Sequence, residues 1–321
     1  MGVSLRGPSH AASGAACQDA CAWVRLGEGG VALAVADGAG SAPLAAEGAA
    51  TSARAAVAAV RAVVTRRSAR QRDGPAPVWP GARAAAPAGG GAPGGQPTVG
   101  GGAGALGPDG VARRGRAAGR SLGGLALWPP GSSGAAGSRA DTEPPLAELA
   151  RIGCRAARLA VCAQAEAIGA PPRALATTLL LVVWRGEQAA AAHIGDGAAV
   201  AWRAGGWEVL SPPAESEYIN ETRFLTDADW EEHVRIQPTR PGVEGVLAFS
   251  DGCQRAALLH GPAGWRPFSG FLDPVGRFAQ GVPDARQARR QISRLLASAK
   301  LAQVSDDDKT LALIWRRAPR G

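Results

Sequence analysis

Between Arg66 and Pro145 the sequence loses every regular spacing of apolar residues, and that loss constrains the fold more than any other feature. The stretch opens RRSARQRDGPAPVWPG and closes GSSGAAGSRADTEPP. A mixture so rich in Gly, Pro, Ala and Ser buries too little apolar surface to offset the entropy of ordering a chain. Residues 66–145 are therefore expected to be a low-complexity, disordered insert. The flanking residues, 1–65 and 146–321, are left to build a single domain.

The insert also accounts for the charge. It holds ten Arg against four acids, so +6 of the formal net charge of +8 lies there and the remainder of the chain is nearly balanced. Its arginines are scattered, and only Trp79 and Trp128 accompany them. That pattern argues against a nucleic-acid surface and for a solvated linker, with a nucleic-acid tether as the competing reading. No segment approaches the ~20 consecutive apolar residues of a membrane span, and MGVSLRGPSH has no apolar signal core. A cytoplasmic protein without a membrane partner is expected. Cys17, Cys21, Cys154, Cys162 and Cys253 form an odd set without C-x-x-C spacing. They are expected to be reduced, mostly buried thiols rather than a disulfide framework or a zinc site.

Outside the insert the periodicities are clear. Strands are expected at 2–5, 22–26 and 31–36, followed by a helix over 44–64. After the insert comes a helix over 146–168, with Leu149, Ile152, Ala156, Leu159 and Ala163 as its apolar stripe. Strands follow at 178–184, 189–194, 198–203, 207–210, 234–238 and 245–249, then a helix over 284–299 and a strand over 310–315. Gaps as short as Arg185-Gly186-Glu187 and Gly195-Asp196-Gly197 make consecutive strands antiparallel. Strands grouped with strands predict an α+β fold, an antiparallel β-sandwich flanked by helices.

Four corners of this fold share one design, in which an apolar strand meets Asp and a small residue. They are CQDA (Asp19), VADGAGSA (Asp37), LAFSDGC (Asp251) and, in reverse order, SDDDKTLALIW (Asp306, Asp307 and Asp308). A single Asp-Gly pair is usually only a turn. Three consecutive Asp at a strand start repel one another unless a cation or solvent compensates. An oxygen-only donor set suits Mg²⁺ or Mn²⁺, and without a His pair at ligand spacing zinc is disfavoured.

Taken in order, GVSLRGPSHAASGAACQDA, LAVADGAGSA, ATTLLLVVWRGE with HIGDGAAVAW, VLAFSDG and SDDDKTLALIW resemble the protein phosphatase 2C family. These are the Mg²⁺/Mn²⁺-dependent Ser/Thr phosphatases. The likeness is greatest to the divergent bacterial branch, to which SPPAESEYINETRFLT is also similar, and it covers about 1–65 and 146–321. It implies a sandwich with two Mn²⁺ or Mg²⁺ ions at one end. Asp37 would bridge the ions and the Gly38 carbonyl would bind one of them. Asp251 and Asp307 would hold the other, since the family's D-N-x-T pattern maps onto Asp307-Asp308-Lys309-Thr310. Asp19 would act directly or through a bound water, and Asp196 matches a position that in some members helps hold a third ion. The implied reaction is attack of a metal-activated water on phosphoserine or phosphothreonine of a protein substrate, with a Ser/Thr kinase as the counterpart. No Cys stands in a setting that would make it the nucleophile instead.

The chain also departs from the family. Position 39 is Ala where many relatives carry the His of D-G-H-G-G, so the leaving-group proton would come from metal-bound water or from another side chain such as His10. The Arg that usually precedes the first acidic motif is missing, and Arg6 is its nearest substitute for gripping substrate phosphate. Arg255 stands where relatives with a third ion supply a carboxylate, which argues against that ion. These losses support the alternative reading, a catalytically degenerate module that binds metal or a phosphoprotein. Other polar residues have structural readings. His193 is expected to be a strand residue facing a polar neighbour, Thr177 and Thr178 a turn, and TDADWEEH a capped helical turn with a solvated face.

Overall fold

The computed structural model describes residues 1–73, 144–214, 222–282 and 284–316. In chain order the elements are β1 Gly2–Leu5, α1 Pro8–Ser13, β2 Asp19–Arg25, β3 Val31–Asp37, α2 Ala45–Asp73, α3 Leu146–Ala167, β4 Leu179–Arg185, β5 Gln188–Ile194, β6 Ala198–Arg203 and β7 Gly206–Ser211. They continue with α4 Trp230–His233, β8 Arg235–Pro238, β9 Val243–Phe249, α5 Asp251–Ala257, β10 Leu258–Gly261, β11 Gly264–Pro267, α6 Ser269–Gly281, α7 Ala285–Leu296, α8 Ala299–Val304 and β12 Lys309–Trp315. All belong to one unit formed by Met1–Gly74 and Asp141–Gly321.

Two five-stranded sheets are formed, in the orders β1-β12-β9-β6-β7 and β2-β3-β4-β5-β8, and β10 with β11 makes a separate hairpin. Every pairing is antiparallel. This is the expected α+β sandwich, and the two-residue side-chain period of a strand explains how its layers are built. In β3, Leu33 and Val35 face the other sheet, whereas Ala32, Ala34 and Ala36 face α2 and α3. In β4, Leu180 and Val182 point to the other sheet and Leu179, Leu181 and Val183 to the helices. In β12, Ala312 and Ile314 fill the space between sheets, while Leu311 and Leu313 pack under α5 to α8. The central strands are thus covered on both faces, and so they read as unbroken apolar runs.

The helices differ more from expectation. The buried face of α3 is Leu149, Gly153, Cys154, Ala157 and Val161, and Leu159 of the expected stripe is 59% exposed. Close approach of α2 decides the face, because a Cβ at Gly153 would stand 3.0 Å from the Ala56 carbonyl oxygen and would also overlap Leu181. A small residue where two helices and a sheet meet outweighs a larger apolar residue elsewhere. Helix α2 continues to Asp73, so its last turns fall inside the segment expected to be unstructured. The rest of that expectation, 74–143, lies outside the described residues, as do 215–221 of the SPPAESEYINETRFLT stretch. The helix expected over 284–299 is divided at Ser298, whose Oγ accepts from Leu301 N–H and caps α8. The helical turn at α4 has Asp229 at its N-cap position but no capping hydrogen bond from it. No helix among the described residues is long and apolar enough to cross a membrane. The cysteines are free thiols, of which only Cys154 and Cys253 are buried and the other three half-buried.

Candidate active site

Strand register brings the expected carboxylates together. Asp19 opens β2 and Asp37 closes β3, and their pairing sets the two residues directly opposite each other. In the other sheet Phe249, the last residue of β9, pairs with both Leu311 of β12 and Ala198 of β6. Asp251, Asp307 and Asp196 therefore lie just beyond neighbouring strand ends. The side chain of Ser250 joins the two sheets there: its Oγ donates to Asp19 Oδ2 at 2.7 Å and accepts from Thr310 N–H at 2.9 Å.

The Asp37 corner is fixed by its backbone. Its N–H donates to Thr178 Oγ1 at 3.0 Å, and its carbonyl accepts from Thr178 N–H at 2.8 Å and from Thr177 Oγ1 at 3.0 Å. Thr177 and Thr178 thus form the clamp that aims the Asp37 side chain. Gly38 follows because a Cβ there would stand 2.6 Å from the Ala45 carbonyl oxygen. The Gly38 N–H donates to the Gln18 carbonyl at 3.1 Å, and among the described residues no backbone donor reaches the Gly38 carbonyl.

Asp307 and Asp308, adjacent in sequence, are placed in opposite situations. Asp308 is 2% exposed and accepts three hydrogen bonds, from Gly7 N–H and Gln18 N–H at 2.6 Å each and from His10 Nδ1 at 2.8 Å. Its lone pairs are engaged in tying the first acidic motif to β12. Among the described residues Asp307 Oδ1 accepts only the Asp308 N–H, at 2.7 Å, and its charge acts on Asp251. His10 is 18% exposed, with Nδ1 committed to Asp308 and Nε2 left over. Arg6 is exposed, and its guanidinium donates to the Ala15 carbonyl at 3.2 Å. Two contributors could not be singled out from the sequence. Ser250 is an ordinary strand-end residue until Asp19 is seen against it, and buried Lys309 donates from Nζ to the Asp307 carbonyl at 2.8 Å.

The electrostatics follow from burial. Asp19, 7% exposed, has its pKa pushed up to about 7, mainly by desolvation, against the hydrogen bonds from Ser250 and Thr310. Burial and then the Asp196 charge push Asp251 up to about 6. Asp37 is raised well above the usual carboxylate range by burial and by Asp19, Asp251 and Asp196. One oxygen each of Asp19, Asp196 and Asp251, together with Gln18 Oε1, is buried without a hydrogen-bond partner among the described residues. Unpartnered buried oxygens on mutually repelling acids fit the chemistry of a hard divalent cation. Among the described residues no group of three or more His, Cys, Asp or Glu side chains is arranged so that it could hold a metal ion as it stands. Thiol chemistry has no comparable setting, because burial and then the Asp308 and Asp19 charges push the Cys17 thiol up to about 12. His193 is a buried strand residue with Nδ1 2.9 Å from both Ser211 Oγ and an Arg235 amino group, so its role is structural.

Comparison with known proteins bears on the fold and the family. Among solved structures, a C. elegans sex determining protein superposes with a TM-score of 0.55 at 12% identity, over 99% of this chain and 64% of that one. A mutant of a bacterial serine phosphatase gives a TM-score of 0.50 at 11% identity, over 98% of this chain and 96% of that one. At such identities the likeness is one of fold. A curated relative, serine/threonine-protein phosphatase 3 of Escherichia coli (strain K12), is 31% identical over 159 residues, 48% of this chain and 61% of that protein. The aligned part thus spans about three fifths of the relative's length. The sequence profile described as "Protein phosphatase 2C" matches residues 6–86 and 132–297, most of the chain and every acidic corner except that of Asp307. With its sandwich, its strand-end aspartates and this match, the chain belongs to the protein phosphatase 2C family.

Proposed function

We propose that the protein is an active metal-dependent serine/threonine phosphatase, in which residues 1–65 and 146–321 form the catalytic domain. The observation that carries this reading is the group of buried carboxylate oxygens left without partners where strand ends of both sheets meet. Keeping such repelling acids together is costly unless cations occupy the site. Asp37, the Gly38 carbonyl, Asp251 and Asp307 would hold two Mn²⁺ or Mg²⁺ ions, with Asp19 and Asp196 as additional oxygen donors. When bound, such a pair lowers the pKa of water and neutralises phosphate charge.

The chain's own groups have separate tasks. Thr177 and Thr178 hold Asp37 by its backbone, and Ser250 orients Asp19 through Oδ2 so that Oδ1 points away from the hydrogen bond. Asp308 fixes the imidazole of His10 through Nδ1, which leaves Nε2 to deliver a proton to the departing serine or threonine oxygen. Arg6, one residue from the Gly7 contact with Asp308, is the cation available to bind substrate phosphate. A cytoplasmic setting and a Ser/Thr kinase as counterpart belong to the same reading.

The test is hydrolysis of p-nitrophenyl phosphate and of a phosphothreonine peptide with Mn²⁺. Turnover should be lost in Asp37→Asn. Activity indistinguishable from that variant under every divalent ion would overturn the proposal. In that event the second reading applies, a non-catalytic metal- or phosphoprotein-binding module. It is favoured by Ala39 in place of a family His and by the engagement of Arg6 with Ala15. Calorimetric binding of Mn²⁺ or phosphopeptide without turnover would identify it.

A further inference from the structure

Helices α5, α6, α7 and α8, with strand β10, line an open pocket of about 590 Å³. That volume lies within the roughly 300–1,000 Å³ typical of small-molecule sites. Its walls are hydrocarbon: Leu259, Phe268, Phe271, Phe278, Ile292 and Leu295. The polar groups lining it are few. Ser298 is occupied in capping α8, Gln291 is exposed, and two cations, Arg255 and Lys300, are exposed and make no ion pair among the described residues.

These features decide the chemistry of an occupant. A body buried against such walls must be apolar, since any polar atom carried inside would lose its water without finding a partner. An extended peptide is disfavoured because its backbone N–H and C=O groups would have almost nothing to bond to. The charged end must be anionic to meet Arg255 and Lys300. We infer that this cavity binds a free single-chain fatty-acid carboxylate, its tail among the phenylalanines and its head at Arg255 and Lys300. Arg255 lies one helical turn beyond Asp251 in α5, so the occupant touches the helix that presents that carboxylate.

The test is calorimetry on the metal-free full chain with laurate below its micellar concentration, which keeps the result independent of phosphatase activity. Saturable one-to-one binding is expected. Dodecanol should bind roughly tenfold more weakly, and dodecyltrimethylammonium should show no saturable binding. Arg255→Glu combined with Lys300→Glu should weaken laurate roughly tenfold, the product of two exposed charge contacts worth a few-fold each. Both side chains are exposed, so the double variant should melt at the unchanged temperature. Leu295→Trp, which fills the cavity, should abolish binding. The inference is overturned by no saturable binding, by equal affinity for laurate and dodecanol, or by an unweakened double variant. It is equally overturned if the protein prefers phosphatidylglycerol vesicles to free laurate, because the acyl chain would then come from a bilayer.

Discussion

Burial makes the carboxylates of Asp19, Asp37 and Asp251 hold protons that exposed aspartates lose near pH 4. Because the folded form binds those protons more tightly than the unfolded chain, metal-free stability should fall as pH rises from about 4 to about 7. A metal must displace the same protons. Mn²⁺ affinity should therefore drop by at least tenfold between about pH 7.5 and about pH 5.5, with proton release visible in calorimetry across buffers of different ionisation enthalpy. A pH-independent affinity would contradict the proposed ligands. His193 acts in the opposite sense. Burial, and then the Arg235 charge, hold its pKa well below the usual 6.5. Below about pH 6.5 the unfolded chain takes up a proton that the folded one refuses, which costs up to about 1.4 kcal/mol per pH unit. The two effects overlap, so only a difference isolates the histidine. The stability advantage of the native protein over His193→Gln, read from urea midpoints, should shrink on going from about pH 7.5 to about pH 5.

At the scale of elements, the site depends on how closely α5 approaches the start of β12. A Cβ on Gly252 would overlap the Asp308 carbonyl oxygen, so glycine is required if Asp251 is to sit beside Asp307. Gly252→Ala should cost about 1–3 kcal/mol, the range for overpacking, and should weaken Mn²⁺ binding as well. A variant with native urea midpoint and affinity would show that the contact is dispensable. This is also where the sequence was least legible. The strands could be read because residues such as Leu179 to Val183 are covered on both faces and carry an uninterrupted apolar run. The Asp corners could be noticed because an apolar run that meets Asp and a small residue is visible in one dimension, while their reading as one set came from the order in which they resemble the family's motifs. Helix α6 was missed because Pro274 and three glycines obscure an apolar face of Leu272, Val275 and Ala279 that only packing reveals. In α3 the periodicity gave a helix but the wrong stripe, since its partner α2 selects for the absence of a side chain at Gly153. Ser250 and Lys309 were invisible as site residues, because their importance lies in contacts across the chain that local pattern does not encode.

For the whole molecule, the question is whether residues 74–143 are needed by the unit that carries the site. The described residues of that unit form five buried clusters among themselves, which gives it a core of its own. Replacing the segment with about 15 flexible residues shortens the connection by roughly two halvings, worth only about 1 kcal/mol in closure entropy. The shortened protein should thus unfold within a few degrees of the full chain. A second reading separates folding from function: Mn²⁺ at a hundredfold excess over its Kd should add about 2.7 kcal/mol to stability if it binds only the folded state. That increment should be the same in both proteins, because the carboxylates at 19, 37, 196, 251 and 307 all remain. A lost increment with unchanged melting would mean that the segment helps to shape the metal site. Loss of folding would mean that a sequence this rich in glycine and proline supplies packing that its composition gives no sign of.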